Sequence, residues 1–434
     1  MVNEFLIKKI VSRWILDSRG FPTVETDIIT EGNIIGRAAV PSGASTGEHE
    51  VLELRDGGKK FLGKGVERAI NNVETKIADI LIGKDVREQN LIDSTMIELD
   101  GTKNKSNLGG NAILSVSLAT ADAAAKLLGI ELFEYLYRMY RNNDVESLEF
   151  MMPVPMSNIL NGGKHAGNNL SIQEFMIIPL GANTFSNSIV MISEIYQYLK
   201  RRISEKFGKS AINLGDEGGF APNLEYTKDA LDLLIGGIEE AGYSQGKEVF
   251  IGLDAAASEF YKDGKYHIDN KLLDTGEMVD YYKNLINSYP IISIEDPFDE
   301  NDFKAFATLQ SETDIQIVGD DLFVTQVDRI RQGIKEESAN ALLLKVNQVG
   351  TLTEALEAAR LCEKNGLNVI VSHRSGETEN TFIADLSVGI SMKKIMIKTG
   401  APARSERTAK YNRLLRIEEL IKNNSKYSGT NFRK

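Results

Sequence analysis

Apolar and polar positions fall into three regimes along the chain. Over the first 40 or so residues, FLIKKIVSRWI, PTVETDIIT and IIGRAAV are short β-rich runs, with a turn at EGN between the last two, and they predict a β-meander. From Val66 the apolar positions Val66, Ile70, Val73, Ile77 and Leu81 step by three or four, which predicts an amphipathic helix. SNLGGNAILSVSLATADAAAKLLGI predicts a second helix, rich in small residues and suited to close packing, with Ser106 as its capping candidate. In the second half, VFIGLD, IISIED, IQIVGDD, ALLLKVN and LNVIVSHRS are apolar throughout, without alternation, as expected of parallel strands covered on both faces. Helical patterns at TFSNSIVMISEIYQYLKRRISEKF, YTKDALDLLIGGIEEAG, EMVDYYKNLINSY and TLTEALEAARLCEKNG alternate with strands, the pattern of a βα barrel.

RNNDVESLEF and the following MMPVP break the periodicity and read as a linker. The expected division is an α+β domain over 1–140, a linker over 141–152, a barrel over 153–420 and a polar, fraying tail over 421–434. At 434 residues the chain has room for two domains, one of them barrel-sized. A hydrophobic content of 42%, with no run long enough to cross a bilayer, describes a soluble protein. No signal peptide is read at the start, so a cytoplasmic location is expected. A net charge of −12 argues against nonspecific nucleic-acid binding. The one cysteine, Cys362, falls on a helical pattern and reads as a buried thiol.

Chemistry enters at the ends of the five runs, which carry Asp254, Glu295, Asp320, Lys345 and His373 at intervals of 41, 25, 25 and 28 residues. A parallel barrel gathers such residues around one mouth. Asp254, Glu295 and Asp320 make an all-oxygen anionic set that suits magnesium, although any one alone reads as a helix cap. Asp321 is expected to support them or to cap a helix. Lys345, in an apolar strand, is expected to have its pKa lowered by burial, with nearby carboxylates or metal also acting on it, and to serve as a general base rather than only in a structural ion pair with one of the acids. Glu217, with Asp216 before a glycine pair, is expected to be an acid kept protonated by a neighbour such as Glu174. His165 lies in a glycine-rich loop able to close over a ligand, and His373 precedes Arg374 and Ser375, a cation and a hydroxyl suited to phosphate. PSGASTGEHE reads as a mobile loop, with His49 in a solvent or interdomain role, and His267 is read as an exposed hairpin residue.

DSRG with PTVE, VPSGASTGEHE, SNLGGNAILSVS, GDEGGFAPN, SIEDPF, GDDLFVT, LLLKVNQVGT, SHRSGET and IKTGAPARSER occur in order, and over nearly its whole length the chain resembles the enolase family. That resemblance implies an α/β protein with an N-terminal α+β capping domain and a C-terminal modified (β/α) barrel, whose early topology departs from the regular repeat. It implies reversible, magnesium-dependent dehydration of 2-phosphoglycerate to phosphoenolpyruvate, a glycolytic and gluconeogenic step. Asp254, Glu295 and Asp320 then correspond to ligands of a first magnesium, and Ser45 to a ligand of a second that arrives with substrate. Lys345 matches the base at carbon 2, and Glu217, assisted by Glu174, the acid at the carbon 3 hydroxyl. Arg374 and Ser375 match phosphate contacts, His165 and His373 line the pocket, and Lys398 matches the contact to the substrate carboxylate. Sites of that superfamily are known to pair a lysine or histidine base with magnesium. A homodimer or larger homo-oligomer is also implied.

Two positions depart from the family's usual pattern, Phe21 in place of Asn and Asn380 in place of Asp, and neither is a named catalytic group. An acid-sugar dehydratase or cycloisomerase of the same superfamily would share the barrel acids but has no use for Arg374, Ser375 and the GASTG loop as a phosphate site. A surface-binding role through Lys434 or exposed lysines is a secondary reading.

Overall fold

The computed structural model describes residues 3–43, 47–142, 148–163, 166–422 and 425–432. Strands β1 (Ile7–Leu16), β2 (Pro22–Thr30) and β3 (Ile35–Ala39) form the predicted antiparallel meander. Helix Gly110–Leu128 packs on this sheet. Its small residues permit the approach, and so does Gly36, where a Cβ would stand 2.2 Å from the Ala119 carbonyl oxygen. Within the contact, Thr26 Oγ1 lies 3.1 Å from Ser12 Oγ and 2.7 Å from Ser115 Oγ, so the buried hydroxyls satisfy one another. Ser106 does not cap this helix. Gly109 precedes the first helical residue, while the Ser106 amide donates to Thr102 Oγ1 at 2.8 Å.

The stepped pattern from Val66 is helical over Glu67–Leu81, with a five-residue π turn at Val73–Ile77. Helices Gln89–Asp100 and Leu132–Tyr140 add to those the periodicity predicts.

Strand β4 (Phe150–Met152) leads into the second half. There β5 (Val154–Asn161), β6 (Glu174–Ile178) and β7 (Phe250–Asp254) are followed by a small three-stranded sheet of β8 (Tyr261–Lys262), β9 (Lys265–Ile268) and β10 (Lys271–Leu273). This sheet accounts for the longest interval between the apolar runs. Strands β11 (Ile291–Glu295), β12 (Gln316–Gly319), β13 (Ala341–Leu344), β14 (Asn368–Ser372) and β15 (Ile395–Lys398) complete the set. Together β5, β6, β7 and β11 to β15 close into an eight-stranded barrel. Strand β6 runs antiparallel to both neighbours and the remaining pairs are parallel, which is the modification the resemblance implies. The four predicted helices appear at Phe185–Phe207, Thr227–Glu240, Thr275–Ser288 and Leu352–Lys364, the last holding the buried Cys362.

The C-terminal tail differs from expectation. Its β16 (Ser425–Tyr427) pairs in parallel with β4, Tyr427 is buried, and the Ser428 amide donates to the Met152 carbonyl at 3.0 Å. The segment is thus pinned rather than frayed, and the last residues of the expected linker are its pairing partner. Residues 143–147 of that linker lie outside the described residues.

The N-terminal half reaches over one end of the barrel. Ser42 and Gly376 exchange backbone hydrogen bonds, both 2.8 Å, and the Val51 amide donates to the Gln348 carbonyl at 3.1 Å. No single helix among the described residues is long and apolar enough to cross a membrane.

Candidate active site

Strand register assembles the site. Asn161 pairs with Glu174, Glu174 with Asp254 and Asp254 with Glu295, so four consecutive strands present these residues in one row. Glu174 is the first residue of β6 and reaches the same barrel mouth because that strand runs backwards. Asp320, Lys345 and His373 each follow the last residue of their strands, and Lys398 ends β15 beside Ser372. A cavity at this mouth is lined by Glu174, Glu217, Asp254, Asp320 and Asp321, with Lys345, Arg374 and Lys398 as its cations.

Two lysines, Lys398 buried and Lys345 half-buried, divide the acids between them. Lys398 Nζ lies 2.8 Å from both Glu295 oxygens, 2.9 Å from Asp254 Oδ2 and 3.3 Å from Glu174 Oε2. One ammonium facing three carboxylates leaves negative charge in excess. Burial, and then Glu217, push the Glu174 carboxyl well above its ordinary value, and burial with Asp254 does the same to Glu295. Burial opposes the charge of Lys398, but the carboxylates around it prevail and raise its pKa well above the usual lysine value.

Lys345 Nζ donates to Asp320 Oδ2. Here the expected lowering of the lysine pKa is reversed. Burial does oppose the charge, but Asp320, helped by Glu295 and Asp321, outweighs it and raises the pKa. Asp320 moves the other way: burial raises its carboxyl, yet Lys345 and then Arg374 hold it below the ordinary value. Its second oxygen accepts from Gln348 Nε2 at 2.9 Å.

Asp254, Glu295 and Asp320 meet at the mouth, but among the described residues the carboxylates whose oxygens all lie within 4.8 Å of one another are Asp296, Asp320 and Asp321. Asp296 accepts from the Asp320 amide at 3.0 Å and the Asp321 amide at 2.7 Å, so it holds the turn that presents Asp320. Burial and Asp320 push its pKa up to about 8. Asp321 is likewise raised, by burial and then by Asp320. An all-carboxylate donor set with more negative charge than its lysines neutralise fits a hard divalent cation.

Glu217 is buried, so its turn is no ordinary surface turn. Its Oε2 accepts from Asn158 Nδ2 at 3.1 Å and lies 3.4 Å from His373 Nε2, long for a hydrogen bond. Burial lowers the pKa of His373 to about 4, against the pull of Glu217.

Arg374 is held in a fork by Glu50 from the N-terminal half, at 3.0 and 3.1 Å, and donates to Asn347 Oδ1 at 2.8 Å. Ser375 is buried beside it. His49 lines the same seam through its carbonyl, which accepts from Gln326 Nε2, and His267 is exposed on β9 as expected. Ser45 and His165, with most of the GASTG loop, lie outside the described residues, as does Lys434.

Glu50, Asn158, Asp296, Gln348 and Arg407 all contribute without having been singled out. The signal available for Glu50 was its place in the glycine-rich loop. Asn158, Asp296 and Gln348 are polar residues in or beside apolar runs, and Arg407 closes the motif IKTGAPARSER. Phe21 hydrogen-bonds through its amide to Asp17 Oδ1 at 2.9 Å and its ring faces the Lys64 ammonium, while Asn380 Oδ1 accepts from the Phe382 amide at 2.8 Å at a helix start. Both departures are accommodated away from the acids.

Residues 7–136 match the family model described as enolase, N-terminal domain, and residues 149–434 the one described as enolase, C-terminal TIM barrel domain. The chain belongs to the enolase family. It is 58% identical over 433 residues to the enolase of Methanocaldococcus jannaschii, covering 100% of this chain and 99% of that one. It is 56% identical over 437 residues to the enolase of Thermococcus gammatolerans and 55% identical over 438 residues to that of Pyrococcus furiosus, with the same shares covered. Membership makes the chain an enzyme, a carbon–oxygen hydro-lyase of the glycolytic enolase type.

Proposed function

We propose that the barrel mouth catalyses reversible dehydration of 2-phosphoglycerate to phosphoenolpyruvate, with Lys345 as base and Glu217 as acid. The observation that carries this assignment is the row of acids facing two lysines, beside an arginine and a serine suited to a phosphate. Asp254, Glu295 and Asp320 would hold magnesium, and Ser45 a second magnesium that comes with substrate. Bound there, magnesium supplies positive charge that relaxes the hold of Asp320 on the Lys345 proton and offsets the charge that builds on the substrate carboxylate.

The chain's own groups do the rest. Lys345 Nζ takes the proton from carbon 2, which is weakly acidic beside a carboxylate. Glu217 gives a proton to the departing carbon 3 hydroxyl, and Glu174 supports it by sharing the negative charge of the pair. Lys398 orients the substrate carboxylate, Arg374 and Ser375 the phosphate, and His165 and His373 enclose them. Residues 1–140 act as the capping domain, bringing Glu50 to Arg374, and 153–420 as the barrel. The enzyme is assigned to the cytoplasm, as a homodimer or larger homo-oligomer.

Incubation of the purified protein with 2-phosphoglycerate and magnesium, followed by ultraviolet absorbance, should show the enol phosphate appearing. Folded, magnesium-loaded protein that yields none would overturn this reading.

A further inference from the structure

Arg407 is wholly buried in the first turn of helix Ser405–Ile421. A buried guanidinium requires acceptors for its donors, and here backbone carbonyls provide most of them. Nη1 donates to the Arg374 carbonyl at 2.6 Å, and Nη2 to the Ser375 carbonyl at 2.6 Å and the Asp216 carbonyl at 3.3 Å. Nε lies 3.6 Å from Glu406 Oε1. The remaining contact of Nη1 is His373 Nδ1, at 2.6 Å. A guanidinium has no acceptor, so the imidazole nitrogen facing it must carry a lone pair and no proton. The neutral ring therefore bears its proton on the other nitrogen, which points at Glu217 Oε2. Packing leaves no slack: a Cβ at Gly400 would stand 2.6 Å from the Glu217 carbonyl oxygen, 3.1 Å from His373 Cε1 and 3.2 Å from Arg407 Cδ.

We propose that Arg407 is a positioning residue that locks His373 in the Nε2-protonated tautomer. Asn158 Nδ2 donates to Glu217 Oε2 and this ring N–H faces the same oxygen at 3.4 Å, which favours carrying the acid's proton on Oε1. The second half of this inference rests on Glu217 being the acid. The same guanidinium ties together the carbonyls of residues 374 and 375, and so also sets the backbone of the phosphate contacts.

The test is a two-bond proton–nitrogen correlation spectrum of the full chain labelled with 15N-histidine, the His373 signals being assigned by their loss in His373→Gln. At neutral pH, Nδ1 should appear unprotonated and Nε2 protonated. A ring protonated on Nδ1, or on both nitrogens, overturns the proposal without any variant. Arg407→Glu presents an acceptor in place of a donor to Nδ1 and should move the proton there. Dehydration should fall on the order of tenfold to hundredfold, part of what a positioned acid contributes, with carbon 2 proton exchange and magnesium binding kept. Arg407→Lys, which remains a donor, should restore the tautomer and most of the rate. An unchanged tautomer in folded Arg407→Glu also overturns the proposal. A shifted tautomer with undiminished dehydration would uphold the role of Arg407 while counting against Glu217 as the acid.

Discussion

Both carboxylate oxygens of Glu295 lie 2.8 Å from the ammonium of Lys398, deep in the barrel mouth. The same ammonium serves Asp254 and Glu174, so it is the main neutralising charge for three buried acids. Lys398→Met should destabilise the magnesium-free protein by about 3–5 kcal/mol, the usual consequence of leaving buried charge unpaired. Added magnesium should return part of that stability. Chemical denaturation with and without the ion measures both, and a variant as stable as the parent would contradict this account of the charges.

Asp320 is held by Lys345 at one oxygen and by Gln348 at the other. Asp320→Asn should weaken magnesium binding by about tenfold or more, since it removes an anionic ligand from an all-oxygen site. Titration calorimetry gives the affinity directly, independent of turnover. Chelation should abolish activity and magnesium should restore it, whereas full turnover in a metal-free sample would defeat the assignment.

The two halves of the reaction should fail separately. Lys345→Ala should abolish both dehydration and exchange of the carbon 2 proton with deuterated solvent. Glu217→Gln should lower dehydration on the order of 10²–10⁴-fold while exchange persists. Proton NMR of 2-phosphoglycerate in heavy water separates them. Continued exchange in folded, magnesium-binding Lys345→Ala would mean that another group is the base.

Asp93 links helix Gln89–Asp100 to the barrel by accepting from the Thr353 amide at 3.1 Å and from Gln89 Nε2 at 3.0 Å. Burial raises its pKa to about 6, against these hydrogen bonds. The folded state therefore keeps a proton that the unfolded chain, titrating near 4, releases first. Stability from this group is complete below about pH 4 and is lost as pH rises through about 6, in all some 2–3 kcal/mol. Asp93→Asn lacks this dependence. The stability difference between variant and parent should shift by that amount in the variant's favour between pH 4 and pH 7, read by denaturation at each pH, and a constant difference would refute it.

What the sequence determined by itself is local. Unalternating apolar runs ending at Asp254, Glu295, Asp320, Lys345 and His373 name their strands and the end at which chemistry gathers, because periodicity and strand length are set by neighbours along the chain. Tertiary structure decided whatever depends on partners far away. The reversal of β6 brings Glu174 into the acidic row, and β16 finds β4 some 275 residues earlier, a pairing that a three-residue polar strand does not announce. It also decided the direction of the Lys345 shift, which the sequence leaves to a contest between burial and nearby carboxylates. Burial and nearby carboxylates act in opposite senses on a lysine, and only the position of Asp320 against Nζ settles which prevails. Arg407 is the extreme case: 34 residues beyond His373, at the end of the motif IKTGAPARSER, it acquires its meaning from the carbonyls and the ring nitrogen that the fold wraps around it.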